Sequence, residues 1–339
     1  VEVTASGDER RRVSRKAMPF ARRILLRTAL AGSTVALSRP ALTQANVIRL
    51  VCPSAPGGVT DLITRIVQPA LAQHLGRTIV VDNRPGAGGN LAAAFVAQAP
   101  ADGSIIMVAS GGLMALNPLV FRTMPFDPLR DIRLVSRLTA GTFLLAVHAG
   151  TGVTDVAGLI EYLKRKGDAA NFGSPGIGYI PHLGAEMFLV ETGTTATHVP
   201  YRGSVGAINA LASGEVDFLF DSRGPLAPHL QSGAVRVIAN GGTRPDLTYP
   251  DLPMLSRTMP GVVVQSWTAM AGPAGMPEEF VRRLDAATRA ALQDPGVVER
   301  LREVANGPAY LDTAELDAFY AEERRRLAHA VQVARVTPQ

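Results

Sequence analysis

A single cysteine, Cys52, in a chain of 339 residues excludes any intramolecular disulfide framework, whatever the redox state of the compartment. Aromatic residues make up only 5%, with one Trp and six Tyr, and no stretch interleaves arginine with aromatic side chains as a nucleic-acid surface does. The six histidines show no H-E-x-x-H or other metal spacing, and no G-x-x-x-x-G-K-[ST] phosphate loop occurs. The segment from Arg84 to Asn90 looks like a dinucleotide fingerprint but puts Leu91 where the last glycine of G-x-G-x-x-G belongs, so a tight turn into a helix is the better reading. No cofactor is implied. The basic excess is also missing from most of the chain. Of 34 Lys+Arg and 29 Asp+Glu, residues 1–45 hold nine and three, which leaves 25 against 26 and a net charge of −1 beyond them. A near-neutral body lacks the electrostatic footprint of a DNA or RNA binder.

Those first 45 residues have their own grammar. After Met18 come Arg22, Arg23 and Arg27, then an apolar stretch over 28–37, then Thr43-Gln44-Ala45, which is the charged, apolar and small-residue order of a signal peptide. The apolar stretch is about ten residues, half of the ~20 that span a bilayer. Cleavage is expected after Ala45, with 1–17 an over-called start and the exported protein periplasmic and not itself membrane-spanning. Either the general or the twin-arginine exporter fits Arg22-Arg23.

From residue 47 onward, β-rich apolar runs alternate with Gly/Pro loops and amphipathic stretches, the pattern of an α/β protein. The pattern predicts strands over 47–52, 78–82 and 105–109, and helices over 60–75 and 90–99, with Pro69 kinking or breaking the first helix near Gln68. A second unit follows, with strands over 143–148, 170–173, 197–199, 216–221 and 235–240 and helices over 156–166, 181–192, 204–213 and 224–231. The stretch 262–272 then returns the chain to the first unit. Helices over 277–292, 295–303 and 313–333 make an all-helical C-terminus that buttresses the first unit, with Asp294 and Asp312 as N-caps. The expected architecture is two lobes, 46–145 plus 267–339 and 146–266, joined by two crossing strands.

Two loops carry the chemistry. Pro53-Ser54-Ala55-Pro56-Gly57-Gly58-Val59-Thr60-Asp61 joins a strand to a helix, and its glycines leave backbone N–H groups free at a helix N-terminus, where an anion is favoured. Residues 171–182, containing Gly173-Ser174-Pro175-Gly176-Ile177-Gly178, repeat the arrangement in the other lobe, with Pro181 suited to a first helical turn. One loop is equally a strand end and helix start; two, on separate lobes, can grip one carboxylate from both sides. Ser174 sits where a hydrolase nucleophile would, but Phe172 replaces the first glycine of G-x-S-x-G and Pro175 removes an oxyanion donor. No catalytic residue is assigned.

Pro56-Gly57-Gly58-Val59-Thr60-Asp61, the run from Val80 to Asn90, Ala101-Asp102-Gly103, the run from His198 to Ser204 and the run from Val216 to Asp221, in this order, resemble the substrate-binding proteins of tripartite tricarboxylate transporters, the Bug solute receptors. The resemblance runs from about residue 47 to the C-terminal helices. It implies a periplasmic binding protein fold of the two-lobed, type II kind, a monomer that closes on a small organic acid and delivers it to membrane transporter subunits without catalysis. Its implied ligand contacts are Ser54, Pro56, Gly57, Gly58, Thr60 and Asp61 on the first loop, Ser174, Gly178, Tyr179 and His182 on the second, and Ser110, Tyr201 and Asp221 at strand ends. Asp221 is equally suited to capping a helix, and His182 to satisfying backbone groups at its helix start. Ser54 stands where the family has an aromatic, Val59 where it has a small residue, and Tyr179 and Ile180 where it has hydroxyl residues, so the cleft is either narrower or built for a partly apolar ligand. Sensing for a membrane kinase and secreted hydrolysis are the competing functions.

Overall fold

The computed structural model describes residues 47–201 and 203–338. The expected signal peptide lies outside them. Chain order gives β1 (Val47–Cys52), α1 (Val59–Leu75), β2 (Thr78–Asn83), α2 (Asn90–Ala97) and β3 (Ile105–Ser110), followed by a π-helical turn over Gly112–Leu116 and the short α3 (Asn117–Val120). Then come β4 (Ile132–Thr142), β5 (Leu144–His148), α4 (Val156–Lys166), β6 (Asn171–Ser174), α5 (Ile180–Thr192), β7 (Thr197–Pro200), α6 (Ser204–Ser213), β8 (Phe218–Asp221), α7 (Arg223–Gln231) and β9 (Val235–Asn240). The C-terminal part is α8 (Leu255–Thr258), β10 (Gln265–Pro273), α9 (Glu278–Ala291), α10 (Pro295–Glu303), β11 (Gly307–Leu311) and α11 (Thr313–Val333).

Two sheets result. The first runs β11-β4-β10-β3-β1-β2, with β2, β1 and β3 parallel and β10 antiparallel to both β3 and β4. The second runs β7-β6-β8-β5-β9, with β6 parallel to both β7 and β8, and β5 antiparallel to both β8 and β9. The chain leaves the first sheet at Phe143, between β4 and β5, and returns between β9 and β10. There the backbone of Phe143 bonds to both return segments: its N–H donates to Val264 O at 3.1 Å and its carbonyl accepts from Gly241 N–H at 2.9 Å, while Val264 N–H donates to Gly241 O at 2.7 Å. Two crossings stitched by three short bonds form a narrow connection, the geometry of a hinge.

Local chemistry explains most elements. Asp294 and Asp312 cap their helices as expected, Asp312 within a reciprocal capping box with Glu315. Pro69, by contrast, does not break α1. The proline sits on the exposed face while Ile63, Val67, Leu71 and Leu75 pack inward with no more than 3% exposure, so burial of that stripe outweighs the roughly 3 kcal/mol cost of an interior proline. The C-terminus is not all helical: β11 lies between α10 and α11 and adds an edge to the first sheet beside β4. Strand β4 itself has no counterpart among the expected elements. It is buried on both faces, so its inward and outward residues do not alternate in polarity. Helices α9 and α10 pack on α1 in the first lobe, but α11 reaches across to α5 of the second.

Candidate functional site

Helices follow strands so that their N-termini collect at one rim. In parallel α/β sheets the crevice beyond the carboxyl ends of the strands is where ligands bind, and here β1, β3, β6 and β8 all deliver their last residues or the following turns to it. A cavity of about 550 Å³ lies between the two sheets, lined by Val59 and Thr60 at the start of α1, Gly178 to Pro181 at the start of α5, Gly203 and Ser204 at the start of α6, and Asp221 and Ser222 before α7. None of these four helices has a side chain capping its N-terminus. Their leading N–H groups and the positive ends of their dipoles therefore face one space, each terminus contributing about 0.3–1 kcal/mol toward a bound anion. Among the described residues lining the cavity there is no Lys, Arg or His.

The sequence-predicted residues divide by what they touch. Thr60, Ser110, Gly178, Tyr179 and Asp221 line the cavity. Ser54, Pro56, Gly57, Gly58, Asp61, Ser174, His182 and Tyr201 do not, and several of them hold the loops from behind. Asp61 is 1% exposed, and its carboxylate accepts from Gly57 N–H at 2.9 Å, Arg65 Nε at 3.0 Å and Asn83 Nδ2 at 2.7 Å. Burial alone pushes that carboxyl up, but the bonds from Arg65, Asn83 and Gly57 outweigh it and hold the group below its ordinary value. Asn83 Nδ2 also donates to Ser54 O at 3.0 Å, so one cluster pins both ends of the first loop.

The second loop is pinned differently. His198 stacks on Phe172, with centroids 4.7 Å apart, and on His182 at 4.0 Å. Ser174 Oγ lies 2.7 Å from His198 Nε2 and 3.0 Å from Gly176 O, and accepts from Gly176 N–H at 3.2 Å. Burial, with His182 adding to it, pushes His198 down to about 4, so the ring is neutral at physiological pH. Gly178 N–H donates to His182 Nδ1 at 3.1 Å, which places the His182 proton on Nε2. The Ser174–His198 contact has the distance of a nucleophile and its base, but Ser174 is fully buried and absent from the cavity wall. Gly178, at φ +77°, occupies a conformation in which its successor Tyr179 can begin α5 in an extended conformation. Tyr201, finally, turns its hydroxyl to Glu215 at 2.7 Å.

Asp221 is the exception among the buried acids. Its Oδ1 accepts from Ser222 N–H at 2.7 Å and Ser222 Oγ at 3.3 Å, but Oδ2 is buried with no partner. Burial pushes this carboxyl up, and the nearby Ser204 hydroxyl and the bonds from Ser222 offset only part of that rise. Glu323, the other acid on the cavity wall, is neutralised by Arg326, which spans both of its oxygens at 3.0 Å.

Sequence reasoning missed Ser204 and Ser222, although both stand at strand-to-helix junctions of the kind that marked the two loops. Trp267, Gln265, Phe143 and the α11 residues Glu323 and Leu327 had no local signal, since only tertiary packing brings them to the cavity. Leu116, Val120, Phe121, Phe143, Ile180 and Leu327 make the walls largely apolar. Among the described residues no group of three or more His, Cys, Asp or Glu offers a metal site, and no helix is long and apolar enough to cross a membrane.

Two α/β lobes, a two-strand crossing and a cleft rimmed by helix N-termini define a solute-binding protein of the periplasmic binding protein fold. Residues 63–335 match the family model described as tripartite tricarboxylate transporter family receptor, and the chain belongs to that family. Membership makes it a receptor and not an enzyme. The Bordetella pertussis (strain Tohama I) protein BugT is 27% identical over 290 residues, covering 85% of this chain and 89% of its own. A solved R. palustris protein with adipate superposes with a TM-score of 0.75 at 32% identity, over 86% of this chain and 98% of that one. MatC from Rhodopseudomonas palustris with bound malate gives a TM-score of 0.69 at 29% identity, over 84% and 98%.

Proposed function

We propose that this receptor captures a small carboxylate in the cleft between its lobes and delivers it to the membrane subunits of a tripartite tricarboxylate-type transporter, after export to the periplasm by the signal peptide over 1–45. The observation that carries the reading is the convergence of four side-chain-uncapped helix N-termini on one cavity whose described lining holds no basic residue. Such a site holds an anion through backbone N–H groups and the hydroxyls of Thr60, Ser110, Ser204 and Ser222. Adipate and malate in two solved relatives support a carboxylate as the ligand class. The lobes are read as 47–142 with 265–338 and 144–240, so that the boundaries expected at 145/146 and 266/267, which fall inside β5 and β10, move to the strand junctions. Closure about Phe143 as a population shift would bury Val59, Ile177 and Tyr179, which are 43%, 47% and 54% exposed. The protein acts as a monomer in this reading.

Native mass spectrometry of gently purified protein, followed by calorimetry with adipate and malate, tests the proposal. A stoichiometric organic acid, or micromolar binding of either diacid, is the expected result. Gly58→Asp is the paired variant. Gly58 has φ −70°, so a side chain meets no backbone strain there, though its Cβ would lie 3.2 Å from Ser54 Oγ and 3.3 Å from Ala55 O and the loop must give by a few tenths of an ångström. The introduced carboxylate would cap α1 itself and compete with the ligand for the same N–H groups. Affinity should fall at least about a hundredfold, given two or more charge-assisted bonds, with melting temperature nearly unchanged. Undiminished affinity in this variant would remove α1 from the site.

A further inference from the structure

A second cavity, of about 430 Å³, lies beside the hinge and shares Gln265, Ser266 and Trp267 with the ligand cleft. Its other walls carry Arg137 from β4, Arg244 from the loop after β9 and Arg302 from α10. Arg137 is 93% buried, since only 7% of it is exposed, and the one hydrogen bond of its guanidinium among the described residues runs from Nε to Ala309 O at 2.6 Å. No ion pair among the described residues involves Arg137 or Arg244. The acid on this wall, Asp246, accepts at Oδ1 from the N–H groups of Thr248 and Tyr249 at 2.9 Å each and at Oδ2 from Thr142 Oγ1 at 3.4 Å, so it pairs with neither arginine. Arg302 pairs at 3.6 Å with the exposed Glu299.

Buried cations are ordinarily paired, because desolvation of a bare charge costs several kcal/mol. Burial, with Arg244 adding to it, pushes Arg137 down to about 10, so the two guanidinium groups repel across the space they share. A guanidinium fork matches a carboxylate or phosphate edge in a bidentate way. We propose that this cavity is a second anion site, taking a small multivalent oxyanion between Arg137 and Arg244. Arg137 belongs to the first sheet and Arg244 follows the last strand of the second, so the bound anion ties the two lobes together at the hinge. By linkage it then alters, and is altered by, ligand affinity in the cleft. The phenyl ring of Phe319, 4.6 Å from the Arg137 guanidinium carbon, keeps that side chain in place meanwhile.

Inorganic phosphate is the probe, with sodium chloride at matched ionic strength as control. Trp267, the sole tryptophan, lines this cavity and reports on it by fluorescence. Phosphate should raise the melting temperature of the purified protein and shift the Trp267 emission beyond the chloride control, saturably. Arg244→Gln, at an exposed position that leaves the core untouched, should weaken phosphate binding about tenfold or more, and Arg137→Met should abolish the response. Gly58→Asp should leave it intact, which separates this site from the cleft. A phosphate response equal to that of chloride, or one that survives in Arg244→Gln, would overturn the proposal; a response lost in Gly58→Asp instead would assign the phosphate to the cleft and overturn it equally.

Discussion

Asp61 and Asp221 occupy equivalent places in the two lobes, each near a strand-to-helix junction facing the cleft, and each is 1% exposed. Solvent exposure is the same, yet Asp221 lies much deeper in the protein and the chemistry of the two is opposite. Asp61 has a donor for each oxygen and is held as a carboxylate; Asp221 has one oxygen without any partner and is pushed toward its neutral form. The first is a rivet that shapes a loop. The second is an unused hydrogen-bonding group in the wall of the cavity, which is what a binding site retains and a folding core does not. Solvent exposure alone therefore does not distinguish a structural acid from a functional one in this cleft; the count of satisfied oxygens does.

Removing the charge on each side is the strongest way to break that comparison. Asp61→Asn turns one acceptor oxygen into an amide donor facing either Asn83 or Arg65 and the Gly57 N–H, so it should destabilise the protein by about 3 kcal/mol, in the range for breaking a buried charged cluster. Because the same cluster pins Ser54 through Asn83, carboxylate affinity should fall with it. Urea melts at pH 7 check the first effect and calorimetry the second. Stability within 1 kcal/mol of the parent would show that the loop is held by something other than this aspartate.

The second loop is broken by acid, not by a change of charge in the first. His198 has a folded value of about 4 against about 6.5 unfolded, so the unfolded chain binds its proton first as pH falls. The stability this histidine lends is complete above pH 6.5 and is lost as pH falls from there through 4. For a ring partly open to water the loss should come to about 2 kcal/mol, appearing in melts between pH 7 and 4. Asp61 works at lower pH: its folded value lies below 3.8, so its contribution persists until pH drops beneath that. His198→Gln, which cannot titrate, should flatten the upper limb and leave the lower one. A parent-like upper limb in that variant would dissociate the imidazole stack from the acid sensitivity of the second lobe.

How far these roles were legible in the sequence follows from the range of the interactions. The strands β1, β3 and β9, the helix α6 and the caps Asp294 and Asp312 are written in local pattern, and they fall where that pattern puts them. The two Gly-rich loops were legible for the same reason, as strand ends running into helix starts. What lay beyond reach was the difference between touching the ligand space and supporting it. Asp61 is four residues from Arg65, a pairing visible in sequence, but its bond to Asn83 joins positions 22 apart on adjacent strand and helix ends. His198 reaches Ser174 across two parallel strands, and β4 hides its polarity pattern because both of its faces are covered. Long-range pairing assigned these groups, and no local window contains it.

The smallest expected effect, and the one that sharpens the comparison most, has the opposite sign to the others. At Asp221 burial raises the folded value above 3.8, so the native state binds the proton more readily than the unfolded chain does. The sign then runs opposite to Asp61: no penalty exists below pH 3.8, and the cost of holding a charged Asp221 grows as pH rises through its folded value. Asp221→Asn removes the charge while keeping a group that can accept from Ser222, so the empty protein should be stabilised by about 1 kcal/mol at pH 8 and unchanged at pH 3.5. Urea melts of parent and variant across that interval give the difference directly. A destabilised variant at pH 8 would mean that Oδ2 finds a partner in solution and that Asp221 is a second rivet; a stabilised one leaves it as the group in the cleft whose hydrogen-bonding capacity waits for a ligand.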